Sequence, residues 1–104
     1  MDTAGAAKVA RLNDVFRRET SAIMLTQGVE VLSDLSGLVE EVRRFDKFTG
    51  ANDPHGEHDF GQIAWDGEKV FWKIDYYDEW LQYGEDPLSQ KCHRILIVML
   101  AGEY

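Results

Sequence analysis

The side chains best suited to chemistry sit in two runs, Asn52-Asp53-Pro54-His55-Gly56-Glu57-His58-Asp59-Phe60-Gly61 and Lys73-Ile74-Asp75-Tyr76-Tyr77-Asp78. Acid–base catalysis needs a base, a carboxylate to orient it and a cation to stabilise a developing anion. His58, Asp75 and Lys73 supply one of each and form the candidate catalytic group, provided that His58 folds against Asp75. The same loop offers His55, Glu57, His58 and Asp59, with Asp53 nearby, as donors that suit zinc, manganese or iron. Their spacing is not the helical His-Glu-x-x-His of zinc proteases, because Pro54 and Gly56 favour a loop. His93 becomes a further ligand only if the last strand neighbours the loop. The expectation is no metal and no cofactor. A plainer role competes with catalysis: Asn52, Asp53 and Pro54 form turns, Gly56 and Gly61 relieve backbone strain, and a cross-strand His–Asp pair pins a loop to a sheet. The sequence has no glycine-rich phosphate loop and no nucleophile elbow, so phosphoryl and acyl transfer have no support.

The elements that must position these groups follow from periodicity. Ala6, Val9, Ala10, Leu12 and Phe16 recur at helical spacing, which predicts an amphipathic helix over roughly residues 4–19 with Arg11, Arg17 and Arg18 outside. Ala22 to Thr26 is a short β run ended by Gln27-Gly28. Leu35, Leu38, Val39, Val42 and Phe45 predict a second helix, capped by Ser33 or Ser36 and closed near Gly50. Phe60 to Trp65 and Glu68 to Tyr77 flank Asp66-Gly67, a two-residue hairpin signal. That turn pairs Trp65 with Glu68, Ile63 with Val70 and Gly61 with Trp72 on a core face. On the other face it pairs Gln62 with Phe71, Phe60 with Lys73 and His58 with Asp75. His93 to Leu100 is apolar on both faces and reads as a central strand. The fold class is α+β: two amphipathic helices on one face of an antiparallel sheet of about four strands. Residues 1–104 form one domain, divided into an N-terminal helix (1–19), a strand and helix (20–50), and a loop, hairpin and final strand (51–104).

Charge narrows the partners. The chain carries a net charge of −8. Eleven acids lie between residues 46 and 86 against Lys47, Lys69 and Lys73, so this middle region holds the whole imbalance. Such a field repels phosphate backbones and argues against direct nucleic-acid binding. It favours a basic protein surface or cations, or serves solubility alone. Tyr77, Asp78, Glu79, Trp80, Glu85 and Asp86, with Phe71, Tyr76 and Tyr83, combine carboxylates with the aromatic types that anchor interfaces. They are the candidate partner-binding residues, unless Trp80 and Tyr83 merely pack the loop onto the hairpin. No apolar run approaches a membrane span. The N-terminus lacks the pattern of a secretion signal, and the single Cys92 fits a reducing compartment, so the expected location is cytoplasmic. Lys91, His93 and Arg94 could lower the Cys92 thiol pKa; the simpler expectation is a buried cysteine at a strand edge.

Several motifs together carry a resemblance. Leu12-Asn13-Asp14-x-Phe16-Arg17, the Asn52–Gly61 loop, Phe71-Trp72-Lys73-Ile74-Asp75-Tyr76-Tyr77-Asp78 and Met99-Leu100-Ala101-x-Glu103-Tyr104 resemble a bacterial family of small domains of unknown function. Its members are frequent in alphaproteobacteria and often borne on mobile elements. The resemblance runs from about residue 11 to the C-terminus. It implies no established activity, but it marks Asn52, Asp53, Pro54, Gly56, Glu57, His58, Asp59, Phe60, Gly61, Lys73, Asp75, Tyr76, Tyr77 and Asp78 as motif positions. His55 and Cys92 fall outside the pattern, which weakens a two-histidine metal site and thiol chemistry. The mobile-element habit points to an acidic binding module that blocks a nucleic-acid-handling defence system, of the anti-CRISPR or anti-restriction type, by occupying its basic groove. The alternative is a small enzyme, or a ligand- or metal-binding domain, centred on His58, Asp75 and Lys73.

Overall fold

The computed structural model describes residues 3–104; Met1 and Asp2, the start of the expected N-terminal helical segment, lie outside the described residues. In chain order the elements are α1 (Thr3–Glu19), β1 (Ile23–Leu25), α2 (Gln27–Glu30), α3 (Leu35–Arg43), β2 (Phe60–Trp65), β3 (Glu68–Tyr77) and β4 (His93–Leu100), followed by a 3-10 turn at Ala101–Glu103. The four strands form one sheet in the order β1-β4-β3-β2. β4 is interior, as its unbroken apolar run requires, and pairs antiparallel with β3.

The sheet is mixed rather than wholly antiparallel, because β1 runs parallel to β4. The chain leaves β1 through α2 and α3 and re-enters at the far edge as β2. Two antiparallel steps then bring β4 beside β1 and in its direction. A three-residue strand followed by a long crossover carries no sequence mark of its direction. Among the described residues the α-helices number three, since Gln27-Gly28, read as the end of the β run, opens the single turn of α2.

The hairpin turn Asp66-Gly67 has φ of 52° and 76°, the two positive values of a type I′ turn. The ladder pairs Trp65 with Glu68, Ile63 with Val70, Gly61 with Trp72, Gln62 with Phe71 and Phe60 with Lys73. Even-numbered residues of β3 and β4 (Val70, Trp72, Ile74, Leu96 and Val98) face Val29, Leu38, Val42 and Phe45 in the core. The opposite face carries Phe60 and Phe71, whose rings meet edge to face at 5.0 Å, with the Tyr104 ring beside both.

Two helix details differ from the sequence reading. α3 is capped by Asp34, which sits in the left-handed region and accepts from Gly37 N; neither Ser33 nor Ser36 caps it. The helix stops at Arg43, so Phe45 is buried from the following loop and Gly50 closes no helix. α1 buries Ala6, Val9, Ala10, Asn13 and Arg17, while Leu12 is 46% exposed. That i, i+3, i+4, i+7, i+11 stripe is the helical periodicity itself, with polar side chains in its last two places.

Gly61 lies flat beneath Trp72: a Cβ there would run into the indole ring. Gly61→Ala should therefore cost about 2 kcal/mol or more in a denaturant melt, the size expected of overpacking. A cost within about 0.5 kcal/mol, typical of an open surface site, would contradict this close packing.

Candidate functional site

Part of the two runs, Glu57, His58, Asp59 and Tyr76, joins α1 in a polar network between that helix and the sheet. Asn13 Nδ2 donates to Glu57 O (2.9 Å) and Tyr76 Oη (2.8 Å), while its Oδ1 accepts from Arg94 Nε (2.7 Å). Tyr76 Oη also reaches Asp59 Oδ2 at 3.3 Å and Glu57 Oε2 at 3.5 Å. Arg94 stacks its guanidinium over the Tyr76 ring and donates Nη2 to Pro87 O. One helical turn on from Asn13, the fully buried Arg17 donates to Val42 O (3.0 Å), Phe45 O (2.9 Å) and Asp14 Oδ1 (3.1 Å). Its guanidinium also lies against the rings of Phe48 and Trp72. The helical pattern of apolar residues places Arg17 in solvent; its four-residue step from Asn13 puts it on the buried stripe instead.

His58 belongs to this network and does not face Asp75. The β2–β3 ladder ends at Phe60, and His58 turns away with φ of 57°. Its Nδ1 lies 3.0 and 3.1 Å from the two oxygens of Asp14, its Nε2 3.6 Å from Asp53 Oδ2, and its ring stacks on Phe48 at 3.8 Å. Asp53 Oδ1 meanwhile accepts from the backbone N–H of Glu57 and His58, and Asn52 ties the loop to Lys47 O and Thr49 N. Lys73 and Asp75 sit on the other sheet face, joined at 3.2 Å, with Tyr77 Oη donating to Asp75. The proposed His58–Asp75–Lys73 group is thus divided by the sheet. The ladder stops short of a His58–Asp75 pair because the Asp53 side chain takes the amides of Glu57 and His58 while the Asp14 carboxylate of α1 takes the imidazole.

A cleft of about 340 Å³ opens where the loop meets the open sheet face, lined by Asp53, His55, Asp59, Phe60, Lys73 and Tyr104 among others. His55 is exposed there and Gly56 takes the left-handed conformation, while Pro54 rims the cleft. Among the described residues no group of three or more His, Cys, Asp and Glu side chains is arranged to hold a metal. A wider groove of about 550 Å³ runs along α1, past Leu12, Val15, Phe16 and Cys92. The Cys92 thiol is half-buried, and that burial pushes its pKa up rather than down.

The segment from Asp78 to Asp86 is built differently. Asp78 Oδ1 accepts from Trp80 N and Gln82 N; Asp78 N donates to Tyr83 O, and Glu85 N to Tyr76 O. Tyr77 bridges to Gly84. This closed turn holds its backbone while leaving Trp80 70%, Leu81 53% and Tyr83 71% exposed. Trp80 and Tyr83 therefore do not pack onto the hairpin. Glu79 and Asp86 are exposed beside them, and Glu85 is half-buried.

Residues 25–103 match the family model described as a protein of unknown function, DUF3768. The chain belongs to this family. No curated protein and no solved structure matches it. The DUF3768 match starts at Leu25, short of the resemblance seen from residue 11, so α1 and its Asn13, Asp14 and Arg17 lie outside the matched span. Among the described residues no helix is long and apolar enough to cross a membrane.

Burial, reinforced by their mutual repulsion, raises the carboxyl pKa of Glu57; burial also raises that of Asp59, against the hydrogen bond from Tyr76. Burial raises the Tyr76 phenol as well, so it stays a donor. A carboxyl whose folded pKa is raised binds its proton more readily in the folded chain, so its penalty grows as pH rises through that window and persists at neutrality. Asp59→Asn should accordingly stabilise the protein at neutral pH, with the gain vanishing below the usual carboxylate range; an unchanged gain at acid pH would contradict the burial cause. Arg17→Met should cost about 3 kcal/mol in the same melts, because it strands the carbonyls of Val42 and Phe45 and one contact of Asp14.

Proposed function

We propose that this DUF3768 protein is an acidic protein-binding module that engages a basic protein surface through the Asp78–Asp86 turn. The observation that carries the reading is the exposure of Trp80 and Tyr83 on a backbone fixed by Asp78. Rigid aromatics lose little entropy on binding and are typical interface anchors. Glu79, Glu85 and Asp86 surround them with negative charge, which speeds encounter with a cationic groove and makes the complex salt-sensitive. Asp78 shapes the turn, and Tyr77 is occupied with Asp75, so both act in support of the anchors.

The resemblance to mobile-element proteins suggests the class of target: the nucleic-acid groove of a defence nuclease or CRISPR complex, which the acidic turn would occupy in place of phosphates. A reaction centred jointly on His58, Asp75 and Lys73 loses its basis, because His58 is held by Asp14 on the other side of the sheet.

Affinity capture from a lysate of the native bacterial host tests this reading, with wild type and Trp80→Ala/Tyr83→Ala compared at low and high salt. A basic nucleic-acid-handling protein should bind wild type at low salt and leave at high salt. Each alanine should weaken that complex by about 2 kcal/mol, near thirtyfold, while the melting temperature stays unchanged. Equal capture by the double variant would contradict the anchoring role.

A further inference from the structure

β2 is an edge strand whose outer side is unguarded. Ile74 N donates to Asp59 O, so the hydrogen-bonded positions of the β2–β3 ladder are Asp59, Gly61, Ile63 and Trp65. In an antiparallel pair the alternate residues turn their N–H and C=O the other way. Phe60, Gln62 and Ala64 therefore point theirs out of the sheet, and no described residue bonds to them. Edge strands are usually protected by a charge, a proline or a bulge. Phe-Gly-Gln-Ile-Ala-Trp has none of these, and Gln62 and Ala64 are exposed.

The ground beside the strand is open as well. A groove of about 330 Å³ runs between Gln62, Ile63 and Ala64 and the end of α3, where Glu41, Arg44, Asp46 and Lys47 form the far bank. Those four side chains balance in charge, in a molecule that carries −8. Two copies repel each other over the acidic region between residues 46 and 86 as a whole, yet along this edge they meet without net repulsion.

We propose that the β2 edge is a homodimer interface, in which two chains pair antiparallel about a two-fold axis at Gln62 to make one continuous sheet. The register is self-consistent: Gln62 meets Gln62 of the second copy, and Phe60 of each copy meets Ala64 of the other. All three are outward-facing positions, so each pair exchanges two N–H···O bonds, about six in all. The Gln62 side chains meet at the axis, where an amide both donates and accepts and so complements its own copy. On the helix side, the Glu41, Arg44, Asp46 and Lys47 bank of one copy faces the edge of the other, and its mixed signs suit an isologous contact. An extended peptide of a different partner would need the same backbone groups; the uncharged strand and the self-matching register favour a second copy.

Sedimentation equilibrium across the micromolar range tests the proposal on the tag-free protein. Wild type should sediment at twice the 11.9 kDa chain mass. Ala64→Pro removes an outward N–H without touching the β3 ladder, and should sediment as a monomer with an unchanged circular dichroism spectrum. Gln62→Lys and Gln62→Glu give a second route that does not depend on proline. Each places like charges opposite each other at the axis and should be monomeric alone, while an equimolar mixture should recover the dimer. A monomeric wild type overturns the proposal, whatever peptide the edge then binds. So does a dimer that survives both Gln62 variants alone.

Discussion

The helix side of this protein rests on one buried cation. Arg17 is taken fully out of water, and a guanidinium there is tolerable only if its donors are met. Three acceptors meet them: the carbonyls of Val42 and Phe45 at the end of α3, and the carboxylate of Asp14 one turn back. Phe48 and Trp72 cover its faces. Since burial pulls the guanidinium pKa down while Asp14 holds it up, the pair is a compromise and not a surplus of stability. Its effect is positional. It fixes where α1 crosses α3, which frees Asp14 to reach His58 and Asn13 to reach Tyr76 and Arg94.

That arrangement engages the titratable groups of the loop in contacts within the fold. His58 has a carboxylate at each nitrogen's side and an aromatic ring on its face; Asp53 has spent an oxygen on two backbone amides. Groups so fully engaged have little left to offer a substrate. The freer chemistry lies elsewhere: at the open cleft beside Lys73 and Asp75, on the exposed aromatics of the Asp78–Asp86 turn, and along the unpaired backbone of β2. Of these surfaces, the turn joins negative charge to exposed aromatic area on a fixed backbone.

Much of the scaffold was legible in the sequence because it depends on local rules. Asp66-Gly67 specified the hairpin and its register, since a type I′ turn leaves one pairing; the unbroken apolar run placed β4 inside the sheet. The α1 stripe was legible too, though reading it as apolar hid Asn13 and Arg17, whose spacing from Val9 and Ala10 was the available signal. What could not be read was long-range. The parallel direction of β1 depends on a crossover path, and the partner of His58 depends on where α1 lands, 44 residues away in sequence. Alternation suggested Asp75 as that partner, but alternation holds only while the ladder lasts, and it ends at Phe60. The exposure of Trp80 and Tyr83 depends on the Asp78 cap, a side-chain choice that periodicity does not reveal.

The Asp14–His58 contact fastens the Asn52–Gly61 loop to α1. A double-mutant cycle of Asp14→Ala and His58→Ala, read by denaturant unfolding at neutral pH, measures that fastening directly. The two changes together should cost less than the sum of each alone, by about 1 kcal/mol or more, as for a hydrogen bond to a charged group. Additive losses would mean that the two side chains do not act on each other, and His58 would again need a role outside the fold.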